Sequence, residues 1–231
     1  VVEGDGGSTA RTVGVRMNGC VDFLIERCRF EYFGNAGIYV SHRDTIARGL
    51  IRKNEFYYNA GEGLGYGVVV YGSNEQWVPD PKFGSPNFIF VEDNVFDFHR
   101  HSIASGNGGL YVFRYNKVMN NIADLGGHAV DTHEAREKPY GTRAVEVYNN
   151  LLVNTTYTDR SNIVRGEIRS ASGAELENSG IAIRNGDALV FNNDVKGFLY
   201  AVTMWNWYLE KTSQTYPVAY SPGYLSGLAL G

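Results

Sequence analysis

One motif returns six times along this chain and limits its fold more than any other feature. A β-branched or aromatic residue is followed by two variable residues, usually an Asn, one further residue and a large apolar side chain. The copies are Ile25-Glu26-Arg27-Cys28-Arg29-Phe30, Ile51-Arg52-Lys53-Asn54-Glu55-Phe56, Val91-Glu92-Asp93-Asn94-Val95-Phe96, Phe113-Arg114-Tyr115-Asn116-Lys117-Val118, Val147-Tyr148-Asn149-Asn150-Leu151-Leu152 and Val190-Phe191-Asn192-Asn193-Asp194-Val195. Recurrence at spacings of 22 residues or more marks a solenoid, in which each turn of chain buries its apolar face only against its neighbours.

A second apolar stretch follows each motif. These stretches are Gly37-Ile38-Tyr39-Val40-Ser41, Gly67-Val68-Val69-Val70-Tyr71, Ser102-Ile103-Ala104-Ser105-Gly106, Ala129-Val130-Asp131-Thr132-His133, Gly180-Ile181-Ala182-Ile183-Arg184 and Ala201-Val202-Thr203-Met204-Trp205. Each begins with a small residue. The second and fourth positions are mostly apolar while the third and fifth vary, which is strand alternation with one face buried. Helical periodicity is absent over any long window. Each coil therefore holds at least two short strands joined by tight bends. Coils stacked at the roughly 4.8 Å spacing of paired strands make a parallel β-helix with continuous inward columns. A buried turn Asn bonds the backbone of its own coil and meets the next Asn.

With these residues the chain resembles the right-handed parallel β-helix superfamily, the pectin-lyase-like fold, over residues 12 to 206. The stacked Asn at the bend after the first strand, here Asn54, Asn94, Asn116, Asn150 and Asn193, is typical of that superfamily. The expected fold is all-β: a right-handed parallel β-helix solenoid of about six coils, with long loop insertions and an aromatic C-terminal tail. Residues 1–11 read as a partial N-terminal coil, 12–206 as repeat coils and 207–231 as a tail or cap, in a single domain cut from a longer protein. A β-sandwich would not explain six copies of one motif in one register.

Bulk properties exclude other classes. The net charge is −4 without a basic stripe, which argues against nucleic acid as a partner. No apolar run approaches the roughly 18 residues of a membrane span, and no signal peptide is recognisable. Cys20 and Cys28 are expected to be free, buried thiols. Cys28 takes the Asn position of the first repeat, and a disulfide between the two would need a sharp bend inside a strand.

The register also points to chemistry. The fifth position of the second stretch faces outward and gives the column Ser41, Tyr71, Gly106, His133, Arg184 and Trp205. The third gives Tyr39, Val69, Ala104, Asp131, Ala182 and Thr203. Asp131 and His133 thus share one expected exposed face, with Arg184 a coil away and small Ala104 and Gly106 leaving room for a ligand. A base of moderate pKa beside a guanidinium suits β-elimination from a uronic acid. His133 or Tyr71 would remove the C5 proton, Arg184 would neutralise the sugar carboxylate, and Asp131 would orient His133. Paired Asp131 and Glu134 would instead suit glycoside hydrolysis or hold Ca²⁺, the one cofactor the residues suggest. A surface ladder in which Asp131 holds His133 and Arg184 for structural reasons is the bland alternative.

Other candidates surround this face. His101 and His128, in adjacent coils, are expected to stack, and with His99 they would make a weak transition-metal site that Arg100 opposes. His42 reads as a solvated turn residue. Tyr39, Tyr71, Trp77 and Trp205 are candidate sugar-stacking aromatics, and Arg136 a further substrate contact. Long insertions at Gly72–Asn87, Glu134–Arg143 and Thr155–Ser179 would wall a groove, or else have drifted. The functional expectation is an extracellular or cell-surface β-helix that binds a polysaccharide, with lyase or glycoside hydrolase chemistry. The alternative is a non-catalytic structural or adhesive module of a larger surface protein.

Overall fold

The computed structural model describes residues 2–3, 11–42, 45–61, 64–72, 78, 80–121, 127–133, 141–154 and 179–204. They form twenty strands in three parallel sheets and no helix. Sheet 1 stacks β1 (Val2–Glu3), β4 (Arg29–Glu31), β7 (Glu55–Tyr57), β10 (Val95–Asp97), β13 (Lys117–Met119), β16 (Leu151–Val153) and β19 (Asp194–Lys196). Sheet 2 stacks β2 (Val13–Asn18), β5 (Ala36–Ser41), β8 (Tyr66–Tyr71), β11 (His101–Gly106), β14 (Val130–Thr132), β17 (Ser179–Ile183) and β20 (Tyr200–Met204). Sheet 3 stacks β3 (Val21–Glu26), β6 (Arg48–Arg52), β9 (Ile89–Glu92), β12 (Leu110–Arg114), β15 (Ala144–Tyr148) and β18 (Asp187–Phe191). Every third strand pairs in parallel, so the chain winds as a parallel β-helix. Each described coil carries three strands.

The recurring motif is a corner. Its first two residues end a strand of sheet 3 and its last two begin a strand of sheet 1. The residue between strand and Asn takes a left-handed backbone in every copy: Arg27, Lys53, Asp93, Tyr115, Asn149 and Asn192 have φ between 51° and 56°. That single residue turns the chain sharply and aims the Asn side chain inward. Asn54, Asn94, Asn116, Asn150 and Asn193 then form a ladder. The Asn94 backbone N–H and Nδ2 donate to Asn116 Oδ1 at 3.0 and 3.1 Å, and Nδ2 also donates to the Ile51 carbonyl at 2.9 Å. The other steps repeat this pattern. The ladder satisfies buried backbone groups that a sharp bend takes out of the strand pattern.

A second corner, after sheet 1, carries a shorter ladder. Asn59 Oδ1 accepts from the Phe33 N–H, and His99 Nδ1 accepts from the Asn59 N–H at 3.2 Å. His99 thus replaces an Asn in the interior and does not join His101 and His128 as expected. Burial lowers its pKa to about 4, so it stays neutral.

The core is a set of columns. Phe30, Phe56 and Phe96 stack face to face with centroids 5.2 and 4.7 Å apart, and Val118, Leu152 and Val195 continue the row. Val130, Ile181 and Val202 lie in direct register, as the sequence column requires. Two of the small residues near the start of sheet 2 strands, Gly37 and Gly67, lie against the phenylalanines. A Cβ on Gly67 would lie 2.6 Å from Phe96 Cδ1, and one on Gly37 2.9 Å from Phe56 Cδ1.

Three expectations need correction. Both cysteines are free, but Cys28 is exposed and Cys20 half-buried. Cys28 lies at the beginning of the Asn column, where its N–H bonds Asn54 Oδ1 and its thiol turns to the Glu26 carbonyl. His42 is buried rather than solvated, because its Nδ1 accepts from the Ala47 N–H at 3.0 Å and closes a turn. The described part of the first insertion, Val78 and residues 80–87, lies against sheet 3, not beside the outer face of sheet 2. Arg143 Nε donates to the Val78 carbonyl at 2.7 Å and Glu146 accepts from the Gly84 N–H. Phe88, Leu110, Val112 and Ala144 form an apolar cluster there with Val78, and that outer face requires cover.

Candidate functional site

Sheet 2 positions the candidate residues through its strict register. Ala104 pairs with Asp131 and Asp131 with Ala182, while Ser41, Tyr71 and Gly106 fall in line. His133 and Arg184 continue directly from β14 and β17. The His133 N–H bonds the Ser105 carbonyl at 2.7 Å, and the Arg184 N–H bonds Thr132 Oγ1 at 2.8 Å. The expected columns are therefore correct in register.

Their exposure is not as expected. Asp131 is fully buried and Arg184 nearly so. Arg184 Nε donates to Asp131 Oδ1 at 2.8 Å, and its Nη2 donates to Oδ2. A carboxylate beneath small neighbours has no solvent of its own, and the adjacent coil supplies its cation. Burial is the largest single influence and acts to raise the Asp131 pKa, but the Arg184 guanidinium, with smaller help from His101 and His133, outweighs it and holds the carboxyl below its ordinary range. Asp131 consequently does not sit beside His133 on an open surface. Of the three, only His133 is half-exposed.

A row of rings lies along the first column of this face. Tyr66 stacks on His101 at 5.4 Å, and His101 stacks on His128 at 5.9 Å. His101 Nδ1 lies 2.7 Å from the His128 carbonyl oxygen and 3.1 Å from the His128 N–H nitrogen. Its Nε2 is 3.7 Å from Asp131 Oδ2, beyond hydrogen-bond reach. Burial lowers the His101 pKa well below 6.5 and that of His128 to about 4, so both rings are neutral at physiological pH. The expected stack of this pair is present. Among the described residues no group of three or more His, Cys, Asp or Glu side chains is arranged to hold a metal ion.

The space expected above Gly106 is occupied. A Cβ there would lie 2.9 Å from Tyr71 Cε1 and 3.6 Å from His133 Cβ, so the Tyr71 ring rests on the glycine beside His133. Tyr39 packs on Tyr71 at 5.5 Å, with the Arg16 guanidinium 5.0 Å from the Tyr39 ring centroid. Burial raises the Tyr71 pKa, with Tyr66, Tyr39 and Asp131 adding to the effect, so Tyr71 remains a phenol. A protonated phenol must first lose its proton to act as a base, and burial makes that loss harder.

Two members of this cluster were not singled out from the sequence as site residues. Arg100 donates from Nη1 to the Tyr66 hydroxyl at 3.3 Å. Tyr66 shares the column of His101 and His128, just before the small residue of its strand, and that shared position is the signal that identifies it. Trp77, Glu134, Arg136 and Trp205 lie outside the described residues. Among the described residues no helix is long and apolar enough to cross a membrane. Comparison of the chain with protein-family models, with curated proteins and with solved structures finds no match.

Proposed function

We propose that the outer face of sheet 2 binds an acidic polysaccharide and that β-elimination is the reaction it supports best. The observation carrying this reading is electrostatic. The described residues of this face include three guanidiniums, on Arg16, Arg100 and Arg184, against one carboxylate, Asp131, in a chain of net charge −4. A polyanion is drawn to such a local excess of positive charge. Tyr39 and Tyr71, half-buried against each other, Arg16 and Gly106, meet the sugar with the parts their packing leaves exposed. His133 accepts the C5 proton of a uronate, and the electron pair left on C5 delocalises into the carboxyl group. Arg100 stabilises that charge. The pair then forms the C4–C5 double bond and expels the C4 oxygen, which takes a proton from the Tyr71 phenol. Arg184 is committed to Asp131, so the pair serves as a rigid floor. An extracellular or cell-surface location accompanies this reading.

The test is incubation with a panel of uronate polymers, with calcium and with a chelator, followed by ultraviolet absorbance of unsaturated products. The expected result is product formation that His133→Ala abolishes. Absence of unsaturated product from every polymer sinks the lyase reading. A second reading, a rigid non-catalytic surface module, is favoured by one feature: the Asp131–Arg184 pair is buried and satisfied, as in a structural ion pair. Under it, His133→Ala alters stability alone.

A further inference from the structure

Three aromatic residues occupy a costly backbone conformation on a different part of the solenoid. Tyr32, Tyr58 and Phe98 follow β4, β7 and β10 at the corner leaving sheet 1, with φ of 60°, 47° and 58°. Bulky side chains rarely take this left-handed region, and such outliers persist where something holds or uses them. The register places Asn120, Asn154 and Gly197 at the same corner in later coils, and Gly197 keeps the positive φ. The corner therefore does not need a ring to turn. Nor does the core need these rings, since Tyr32 and Tyr58 remain 39% and 46% exposed.

The rings run along the solenoid axis. Tyr32 and Tyr58 are 5.9 Å apart, Tyr58 and Phe98 6.3 Å, and Tyr57 packs edge-on against Tyr32 and Phe98. Their surroundings are acidic, in contrast to the outer face of sheet 2. Glu31, Glu55 and Asp97 lie on the strands leading into the corner; among the described residues of sheet 1 beside them, Arg29 stands on β4 and Lys117 follows in the Glu55 column beyond Val95. Arg29 pairs with Glu31, approaches Glu55 at 3.8 Å and places its guanidinium 6.0 Å from the Tyr57 ring centroid. This corner already receives one cation on a ring face, and with Glu31 paired to Arg29 the carboxylates of Glu55 and Asp97 remain beside the rings.

We propose that the Tyr32–Tyr58–Phe98 ladder is a binding surface for a polysaccharide of protonated amino sugars. Each unit of such a polymer brings a C–H face for the negative face of an aromatic ring and an ammonium group for ring and carboxylate together. A regular polymer matches a row of rings repeated coil by coil. A polyanion would be repelled by Glu55 and Asp97. The surface is independent of the lyase reading, since it uses another corner and the opposite charge.

The test is calorimetric titration of the full chain with glucosamine oligomers at mildly acidic pH, with N-acetylated oligomers and oligolysine as separate arms. Glucosamine oligomers should bind, and the two other ligands should bind at least about tenfold more weakly. Tyr32→Asn with Tyr58→Asn should weaken binding about tenfold, while the melting temperature stays level or rises because Asn tolerates the left-handed region. Tyr32→Phe with Tyr58→Phe should preserve binding. Glu55→Gln, on the exposed rim, should weaken it several-fold and provides the deciding variant if the Asn pair does not fold. His133→Ala and Arg100→Ala should leave it unchanged, which separates this surface from the sheet 2 site. The proposal is overturned by no binding of glucosamine oligomers, by oligolysine binding as tightly, or by full affinity in both the Asn pair and Glu55→Gln.

Discussion

Arg184 holds Asp131 from the neighbouring coil through both carboxylate oxygens, with Nε donating to Oδ1 at 2.8 Å and Nη2 to Oδ2. The pair is buried, and sheet register alone brings its members together across 53 residues of sequence. Removing one partner from such a pair leaves a charge with neither water nor counter-ion. Arg184→Met should therefore cost about 3–5 kcal/mol in urea denaturation, and adding Asp131→Leu should recover most of it. A loss below about 1 kcal/mol from the single change would show that water replaces the guanidinium readily.

Four buried histidines set the acid limit of the fold. Burial lowers the pKa of His42, His99 and His128 from 6.5 to about 4, and that of His101 well below 6.5. In the unfolded chain these rings take protons as pH falls through 6.5, while in the folded chain they do not. Stability is therefore complete above 6.5 and falls as pH drops toward 4. The gap corresponds to roughly 3 kcal/mol for each of the three. Asp131, held below its ordinary value, adds a loss at still lower pH. Thermal melts across this window should show the decline, and His99→Asn, which restores the usual ladder residue, should flatten it. An equal slope in that variant would refute the assignment of His99.

Gly67 marks where the core admits no side chain. Its added Cβ would lie 2.6 Å from Phe96 Cδ1 and 2.7 Å from the Ser102 carbonyl. Gly67→Ala should destabilise by about 1–3 kcal/mol through overpacking, as measured by the denaturation midpoint. An unchanged midpoint would mean that the phenylalanine row yields.

The Asn ladder should weaken unequally. Asn94→Ala removes an acceptor for Asn54 and a donor to the Ile51 carbonyl, both buried, and should cost at least about 2 kcal/mol. Asn193 is half-exposed at the end of the row, so Asn193→Ala should cost clearly less. Equal losses in denaturant would argue against a position-dependent ladder.

Much of the architecture was legible in six copies of one motif. The spacing of Asn54, Asn94, Asn116, Asn150 and Asn193 specified the ladder, and the alternation around Val130, Ile181 and Val202 specified the inward stripe. Legibility ended where residues depend on neighbours distant in sequence. His42 and His99 look polar, yet each accepts a backbone N–H inside the fold. Gly106 suggests open space, yet Tyr71 from the preceding coil fills it. The left-handed bends at Tyr32, Tyr58 and Phe98 have no Gly to announce them.

By itself the sequence determined the winding, because a side-chain period of two and a repeated corner permit one register of coil upon coil. It also named the columns, so Asp131, His133 and Arg184 fell on one face. Only the tertiary structure decided what each column does. Whether an outward carboxylate meets water or a guanidinium depends on the coil above it, and that contact turned Asp131 from a surface group into a buried anion bound to Arg184.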